Sequence, residues 1–281
     1  MASIKDKLLA IGAALAYPQV RLKPAITKEH FSGKWVLVTG ASHGIGRALT
    51  EKLIDADANV FLIARSEADL QYLCDRAKQR GNRADYCAID LRDREKLELL
   101  CQKLKETLPQ LDYFFCNAGK SIHRKITDAL DRLHDYDRTI DLNYRALVAL
   151  SLALLPALKA SKGSIIYSSS VSTRYPMAPG WSAYHASKSA ANTWCETANS
   201  EFAPLGVCVQ IAYLPLVHTA MSDVNERYRQ LPAYYPADAA NILLRLAIRK
   251  GKRYQPWWAK LSAPIAYLFA PIIHLYYKRL P

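Results

Sequence analysis

Paired cysteines, clustered metal donors and a long unbroken apolar run are all missing from this 281-residue chain. Its six cysteines (Cys74, Cys87, Cys101, Cys116, Cys195 and Cys208) are scattered and form no C-x-x-C pair. That excludes a disulfide framework and reads as reduced thiols of a cytoplasmic protein. Metal ligation needs donors close together, and with none clustered no metal site is expected. Acidic residues are scarce too, 25 against 38 Lys and Arg, for a formal net charge of +13. Such an excess points to an anionic partner: nucleotide phosphate, acidic lipid headgroups or coenzyme A. Nucleic acid is excluded, because no basic run interleaves with aromatics and no helix-turn-helix, zinc-finger or RNA-recognition pattern occurs. No linker, internal repeat or low-complexity tract divides the chain, so its length fits one large domain.

What is present is an alternation of short apolar runs and helical patterns. Strand-like stretches at 35–39, 58–64, 86–89, 111–116, 164–168 and 207–212 are separated by helical ones at 45–56, 68–80, 95–107, 136–159 and 182–203. A late helix is expected at 236–249. Strands apolar on both faces, each followed by a helix, predict a doubly wound α/β fold of Rossmann type with a parallel sheet covered on both sides.

The turn Thr39-Gly40-Ala41-Ser42-His43-Gly44-Ile45-Gly46 stands where the first strand meets the first helix. Glycines there let the backbone approach a pyrophosphate, whose charge the helix N-terminus favours. The second strand ends Leu62-Ile63-Ala64-Arg65-Ser66, with no carboxylate to accept from a free ribose hydroxyl. Arg65, with His43 and Arg47 near the first turn, predicts a 2′-phosphate and hence NADPH. Further on, Tyr184 and Lys188 sit four residues apart on one helix face. A neighbouring ammonium lowers a phenol's pKa toward the working range, and Ser170, at the end of a serine run, could hold a substrate oxygen beside it. Taken alone, the pair also fits an exposed helix surface.

Taken in order, these pieces resemble the short-chain dehydrogenase/reductase superfamily over roughly residues 33–256. The matching motifs are Thr39-Gly-x3-Gly44-x-Gly46, Asp90-Leu91, Asn117-Ala118-Gly119, Asn143, Ser170, Tyr184 and Lys188. The resemblance implies that Tyr184 protonates a carbonyl oxygen as hydride reaches carbon. It implies that Lys188 holds the nicotinamide ribose and tunes the tyrosine, that Ser170 binds the substrate oxygen, and that Asn143 supports a water relay. Asp90 and Leu91 would flank adenine; Asn117, Ala118 and Gly119 would line the cofactor cleft. A homo-oligomer is implied as well.

Three departures stand out. Cys116 replaces the first asparagine of Asn-Asn-Ala-Gly. The spacing from Ser170 to Tyr184 is one residue longer than usual, so Ser169 or Ser172 could take the serine's role. Leu214-Pro215-Leu216-Val217-His218-Thr219 lacks the glycine usual after that proline, while Val217 and Thr219 can still face the nicotinamide carboxamide. A closer likeness, in Ala118-Gly-Lys-Ser-Ile-His-Arg124, His134-Asp-x-x-Arg-Thr139, Leu142-Asn-Tyr144 and Pro215-Leu-Val-x-Thr-x-Met221, is to bacterial short-chain-type fatty acyl-CoA reductases. That implies a lipid-like carbonyl, with a basic loop (Lys120, His123, Arg124, Lys125) for an anionic head. Ketone or hydroxyl chemistry on steroids, ketoacyl lipids or xenobiotics is the alternative. A non-catalytic nucleotide-binding regulator is the remote one.

Both ends lie outside the alternating pattern. Residues 1–33 carry Ile4, Leu8, Ile11 and Leu15 at helical spacing with Lys5 and Lys7, which predicts an amphipathic extension rather than a signal peptide. Residues 257–281 form an apolar, aromatic arm with terminal cations, interrupted by Pro264 and Pro271. That is too broken for a spanning helix and suits a segment lying in one leaflet. The protein is thus expected in the cytoplasm, peripheral to a membrane through both termini. An arm buried between subunits is the competing expectation.

Overall fold

Seven parallel strands run in the spatial order β3-β2-β1-β4-β5-β6-β7 in a computed structural model, which describes residues 12–223 and 226–279. They are β1 (Trp35–Thr39), β2 (Asn59–Ala64), β3 (Ala84–Ala88), β4 (Tyr113–Cys116), β5 (Ser164–Ser170), β6 (Cys208–Leu214) and β7 (Arg253–Tyr254). Successive side chains of a strand point to opposite faces. Val36 and Val38 therefore enter one core with Leu49, Leu53 and Leu243, while Leu37 enters the other with Leu100, Leu150 and Ile165. Both faces are buried, which is why these strands read as continuous apolar runs.

Helices α1 (Pro24–Phe31), α2 (Gly44–Asp55), α3 (Glu67–Gln79) and α8 (Pro236–Arg249) supply the first face. Helices α4 (Arg94–Thr107), α6 (Ala146–Ser161) and α7 (Ser182–Phe202) supply the second. The chain moves outward from β1 to β2 and β3, then returns to β4 on the other side of β1. That reversal opens a crevice at the carboxyl ends of β1 and β4, where such sheets bind ligands.

The observed elements depart from the sequence reading in four places. The single helix expected at 136–159 is two: α5 (Leu133–Ile140) and α6, joined by a π-helical turn, Asp141–Arg145. Interruptions of this kind sit frequently at functional sites, and Asn143 lies in this one. Strands β5 and β6 run two residues past their expected ends, pairing through Ser170↔Leu214, because the polar serine run still has a partner strand. Strand β7 has only two residues, too few to show a period. Lastly, residues 1–33 are not all an outlying extension: Phe31 of α1 is fully buried, its ring 4.8 Å from that of Tyr113. Ile4, Leu8 and Ile11 of the expected amphipathic helix lie outside the described residues.

After β7 the arm folds as α9 (Trp257–Leu268) and α10 (Ala270–Lys278), bent by 76° at the break between them. The sharp turn follows from Pro271 in the first turn of α10, a position that favours starting a helix afresh. Ala259 and Ala263 are the buried residues of α9, and α10 has none. The stretch Leu133–Ser161 is long and apolar enough to cross a membrane, but half of it is buried inside the domain as a layer helix.

Candidate active site

The crevice between β1 and β4 is built from backbone. The Thr39 hydroxyl accepts hydrogen bonds from the amides of Asn117 and Ala118, both at 3.1 Å, which closes the seam between the two strands. Gly40 (φ +67°) and Gly44 (φ +55°) occupy the left-handed region that side chains disfavour. A Cβ on Gly46 would overlap the Gly40 carbonyl oxygen and crowd the Asn117 amide. The turn thus passes tightly into the N-terminus of α2, whose free N–H groups and dipole favour a phosphate. These residues fit a dinucleotide. Ile45 packs against the first core, and Thr219 stands over Gly44.

Cations gather around the end of β2. Arg65 is exposed there, and its charge helps, after the direct hydrogen bonds from Arg92, to hold the Asp90 carboxyl below its usual range. Arg47 and His43 converge on Asp69, at 3.3 and 3.7 Å, and His43 also meets the Ser42 hydroxyl at 2.9 Å. The Ser66 hydroxyl donates to Asp69 at 2.5 Å. The Leu91 side chain packs in the second core and that of Val217 in the first, beside Tyr234. The segment around Val217 tolerates the missing glycine because Leu216 takes an ordinary negative φ. Hydrogen bonds with Tyr234 on both sides (2.9 and 3.0 Å) fix its backbone.

Ser170 ends β5, and α7 projects Tyr184 and Lys188 toward it. The extra residue between Ser170 and Tyr184 is absorbed in a 3-10 turn, Val171–Arg174. Which serine faces the tyrosine is settled by the partners. Ser169 turns away to donate to Asn192 at 2.6 Å, Ser170 bears on the phenol oxygen, and Ser172 stands behind Ser170 at 2.8 Å.

Lys188 is 5% exposed; its ammonium donates to the Ser168 carbonyl at 2.8 Å and lies 4.8 Å above the Tyr167 ring. Gly119 borders it closely, since a Cβ there would come within 3.4 Å of Nζ. Burial pushes the Lys188 pKa down to about 8. Tyr184 behaves otherwise than expected: burial raises its pKa, with the Ser170 hydroxyl opposing the rise. Lys188 spends its charge on Ser168 and Tyr167 rather than on the phenol. Asn143 is buried in the π-helical turn. Its amide donates to the Lys120 carbonyl and the Ser187 hydroxyl, both at 2.9 Å, and accepts from the Lys120 amide at 2.8 Å. It pins the loop after β4 to α7.

The mouth beside Tyr184 is aromatic. Trp181 lies 5.9 Å from the Tyr184 ring, 4.6 Å from His123 and stacks on Tyr228 at 6.1 Å. The turn after Ser170 carries the C-terminal arm, through Tyr175 Oη to Ser262 Oγ at 2.7 Å and Tyr267 Oη to the Tyr175 carbonyl at 3.3 Å. Within the basic loop, Arg124 is committed to the buried Asp135, which also holds Arg132, each at 3.1 Å. Trp181, Tyr228, His185 and Ser187 escaped the sequence reading. Three of them lie within four residues of Tyr184, where only the pair itself stood out.

The family model for short chain dehydrogenases matches residues 34–229. A fatty acyl-CoA reductase of Acinetobacter baylyi is 34% identical over 251 residues, 89% of this chain and 84% of that protein. One of Mycobacterium tuberculosis is 33% identical over 85% of this chain and 82% of its own length. Among solved structures, a metagenomic short-chain oxidoreductase in complex with NADP is 27% identical. It superposes with a TM-score of 0.65 over 78% of this chain and 91% of its own.

Removing the phenol oxygen while keeping the ring isolates the role of Tyr184. Tyr184→Phe is expected to lower NADPH-coupled carbonyl turnover by about 10²–10⁴-fold, with NADPH affinity, followed by fluorescence titration, unchanged. Near-full turnover in this variant would remove Tyr184 from the chemistry.

Proposed function

The chain belongs to the short-chain dehydrogenase family of NAD(P)-dependent oxidoreductases, and from that premise we propose that it uses NADPH to reduce a lipid-like carbonyl, with a long-chain acyl-CoA thioester as the favoured substrate. One observation carries the reading. The Ser170–Tyr184–Lys188 cleft opens on aromatic rings, and the turn that follows Ser170 is bonded directly to the apolar arm. An acyl chain suits that route. The similarity to two proteins named fatty acyl-CoA reductase supports the thioester.

Reduced nicotinamide, when bound, supplies the hydride. Tyr184 supplies the proton: its phenol donates to the oxygen as negative charge develops there, helped by the Ser170 hydroxyl, which opposes the rise in pKa that burial causes. Ser170 steadies that oxygen from a second direction. Lys188, mostly charged at neutral pH, has donors beyond the one given to Ser168 with which to hold the nicotinamide ribose. Asn143 fixes the loop that floors the site. For a thioester, the carbonyl carbon would gain the hydride and its oxygen the Tyr184 proton. The carbon–sulfur bond then breaks as that oxygen gives its proton up and the departing sulfur takes one, so that one hydride and one proton yield aldehyde and free coenzyme A thiol. Arg132 and Arg124 share one carboxylate, Asp135, leaving local positive charge near the mouth for an anionic head.

NADPH over NADH rests on Arg65 and on the absence of a carboxylate at the end of β2. Association with the cytoplasmic face of a membrane rests on the arm. Leu261, Ile265, Leu268, Phe269, Ile272 and Tyr276 are all exposed, with Lys260, Lys278 and Arg279 alongside. The described part of the N-terminal segment joins it: the indoles of Trp257 and Trp258 donate to the carbonyls of Leu15 and Ala16 at 2.9 and 3.0 Å. Both termini would then face the lipid, beside the mouth of the cleft.

Three measurements test this reading. NADPH oxidation across long-chain acyl-CoAs, keto-lipids and steroids should be fastest with an acyl-CoA of long chain, releasing thiol in equal amount. Preference for a ketone with no thiol release would replace the thioester by the ketone-reductase alternative. Arg65→Asp should raise the KM for NADPH by about tenfold or more while leaving that for NADH nearly unchanged, since the lost term is one charge pair on the 2′-phosphate. Equal effects on both cofactors would make Arg65 a surface cation only. Leu268→Glu with Ile272→Glu alters two exposed positions of the arm and should release the protein from anionic liposomes in sedimentation, with cofactor binding intact. Wild-type protein that ignores liposomes, paired with a double variant that loses its oligomeric state, would make the arm a subunit interface.

A further inference from the structure

Behind Ser170 runs a hydrogen-bonded chain that ends on a buried imidazole. Ser170 Oγ and Ser172 Oγ are 2.8 Å apart, and Ser172 Oγ is 3.1 Å from His185 Nε2. The ring is 6% exposed, and its Nδ1 has no hydrogen-bond partner among the described residues. We propose that His185 is a positioning residue that sets the direction of this hydroxyl chain, so that Ser170 presents its O–H, not a lone pair, to the substrate oxygen. The inference rests on the reading of Ser170 and Tyr184 given above.

The direction follows from the orphan nitrogen. A neutral imidazole carries one N–H, and burial lowers the His185 pKa, so a second proton is disfavoured. A hydrogen on Nδ1 would leave a buried donor with nothing to accept it, the rarest kind of unsatisfied group in a folded protein. Placed on Nε2, the hydrogen is donated to Ser172 Oγ. Ser172 then donates its own hydroxyl hydrogen to Ser170 Oγ, which already accepts the Ser172 amide at 3.3 Å. Ser170 Oγ thus accepts twice from within the protein, and its hydrogen is left to point outward, toward the phenol and the substrate. In the opposite tautomer every arrow reverses: Ser172 donates to His185, Ser170 donates to Ser172, and the developing negative oxygen would meet a lone pair. Only the first arrangement stabilises reduction.

The tautomer is measured without any substrate, on full-length protein labelled with ¹⁵N-histidine. The His185 ring, identified by the loss of its signals in His185→Gln, should show a protonated Nε2 and a bare Nδ1. A hydrogen on Nδ1 overturns the proposal, whatever the enzyme reduces. The kinetic arm uses palmitoyl-CoA or, where the wild type prefers it, a keto-lipid. His185→Leu removes the donor and should cost roughly tenfold to hundredfold in kcat, less than the about 10²–10³-fold typical of deleting an oxyanion donor outright, with KM changed less than about twofold. His185→Gln, whose side-chain amide can still donate to Ser172, should recover most of that loss. Ser172→Ala should match His185→Leu, and the double variant should be no slower than either single one, because both cut the same chain. Additive losses, or a glutamine variant as slow as the leucine one, would reduce His185 to a packing residue.

Discussion

A lysine ammonium buried beside a tyrosine ring is the constraint around which this cleft is arranged. Removing a charge from water is costly unless the protein replaces the lost partners. Here the Ser168 carbonyl takes one N–H and the face of Tyr167 takes part of the field. The π-helical turn contributes indirectly, for it places Asn143 where one amide group ties the Lys120 backbone to Ser187, next to Lys188 in the chain. That tie holds Gly119 against the ammonium. Strand β5, helix α7 and the loop after β4 are all fixed by keeping this one charge in place.

The same constraint explains why the phenol and the amine do not act as first expected. Proximity on a helix face predicts that an ammonium lowers the tyrosine's pKa, but proximity is not direction. Lys188 is drawn to a carbonyl and a ring behind it, while Tyr184 is governed by burial and by Ser170. Burial makes the phenol a weaker acid, and the Ser170 hydroxyl opposes that effect.

Legibility in the sequence divides along a physical line. Features set by local backbone chemistry could be read: the Gly40–Gly46 turn, the alternation of apolar strand and helix, and the four-residue spacing of Tyr184 and Lys188. Features set by facing could not. Asp90-Leu91 reads as one cofactor-flanking unit, yet in the loop after β3 Asp90 pairs with Arg92 while Leu91 is buried in the second core. Val217 is likewise turned inward, paired with Tyr234. The π-helical turn left no trace in apolar periodicity because Asp141 and Asn143, buried polar groups, occupy its inward positions. Helix α1 was missed because eight residues are too few to establish a period, although Phe31 is among the most deeply buried side chains.

The pKa of Lys188 also ties the site to stability, and the sign of that link bears on function. A lysine whose folded pKa is about 8, against an ordinary 10.5, binds its proton less readily folded than unfolded. Between those values the unfolded chain holds more protons, so this group's contribution to stability rises with pH across that window. Below about 8 its charge is a standing cost to the fold. Packing alone would be better served by an apolar residue at this position. A fold that instead keeps the ammonium, and surrounds it with Ser168, Tyr167, Gly119 and the Asn143 tie, is built for a ligand that supplies the partners the protein withholds. A ribose diol beside the nicotinamide has that chemistry, and its hydroxyls would return to Lys188 the hydrogen bonds it lost on leaving water.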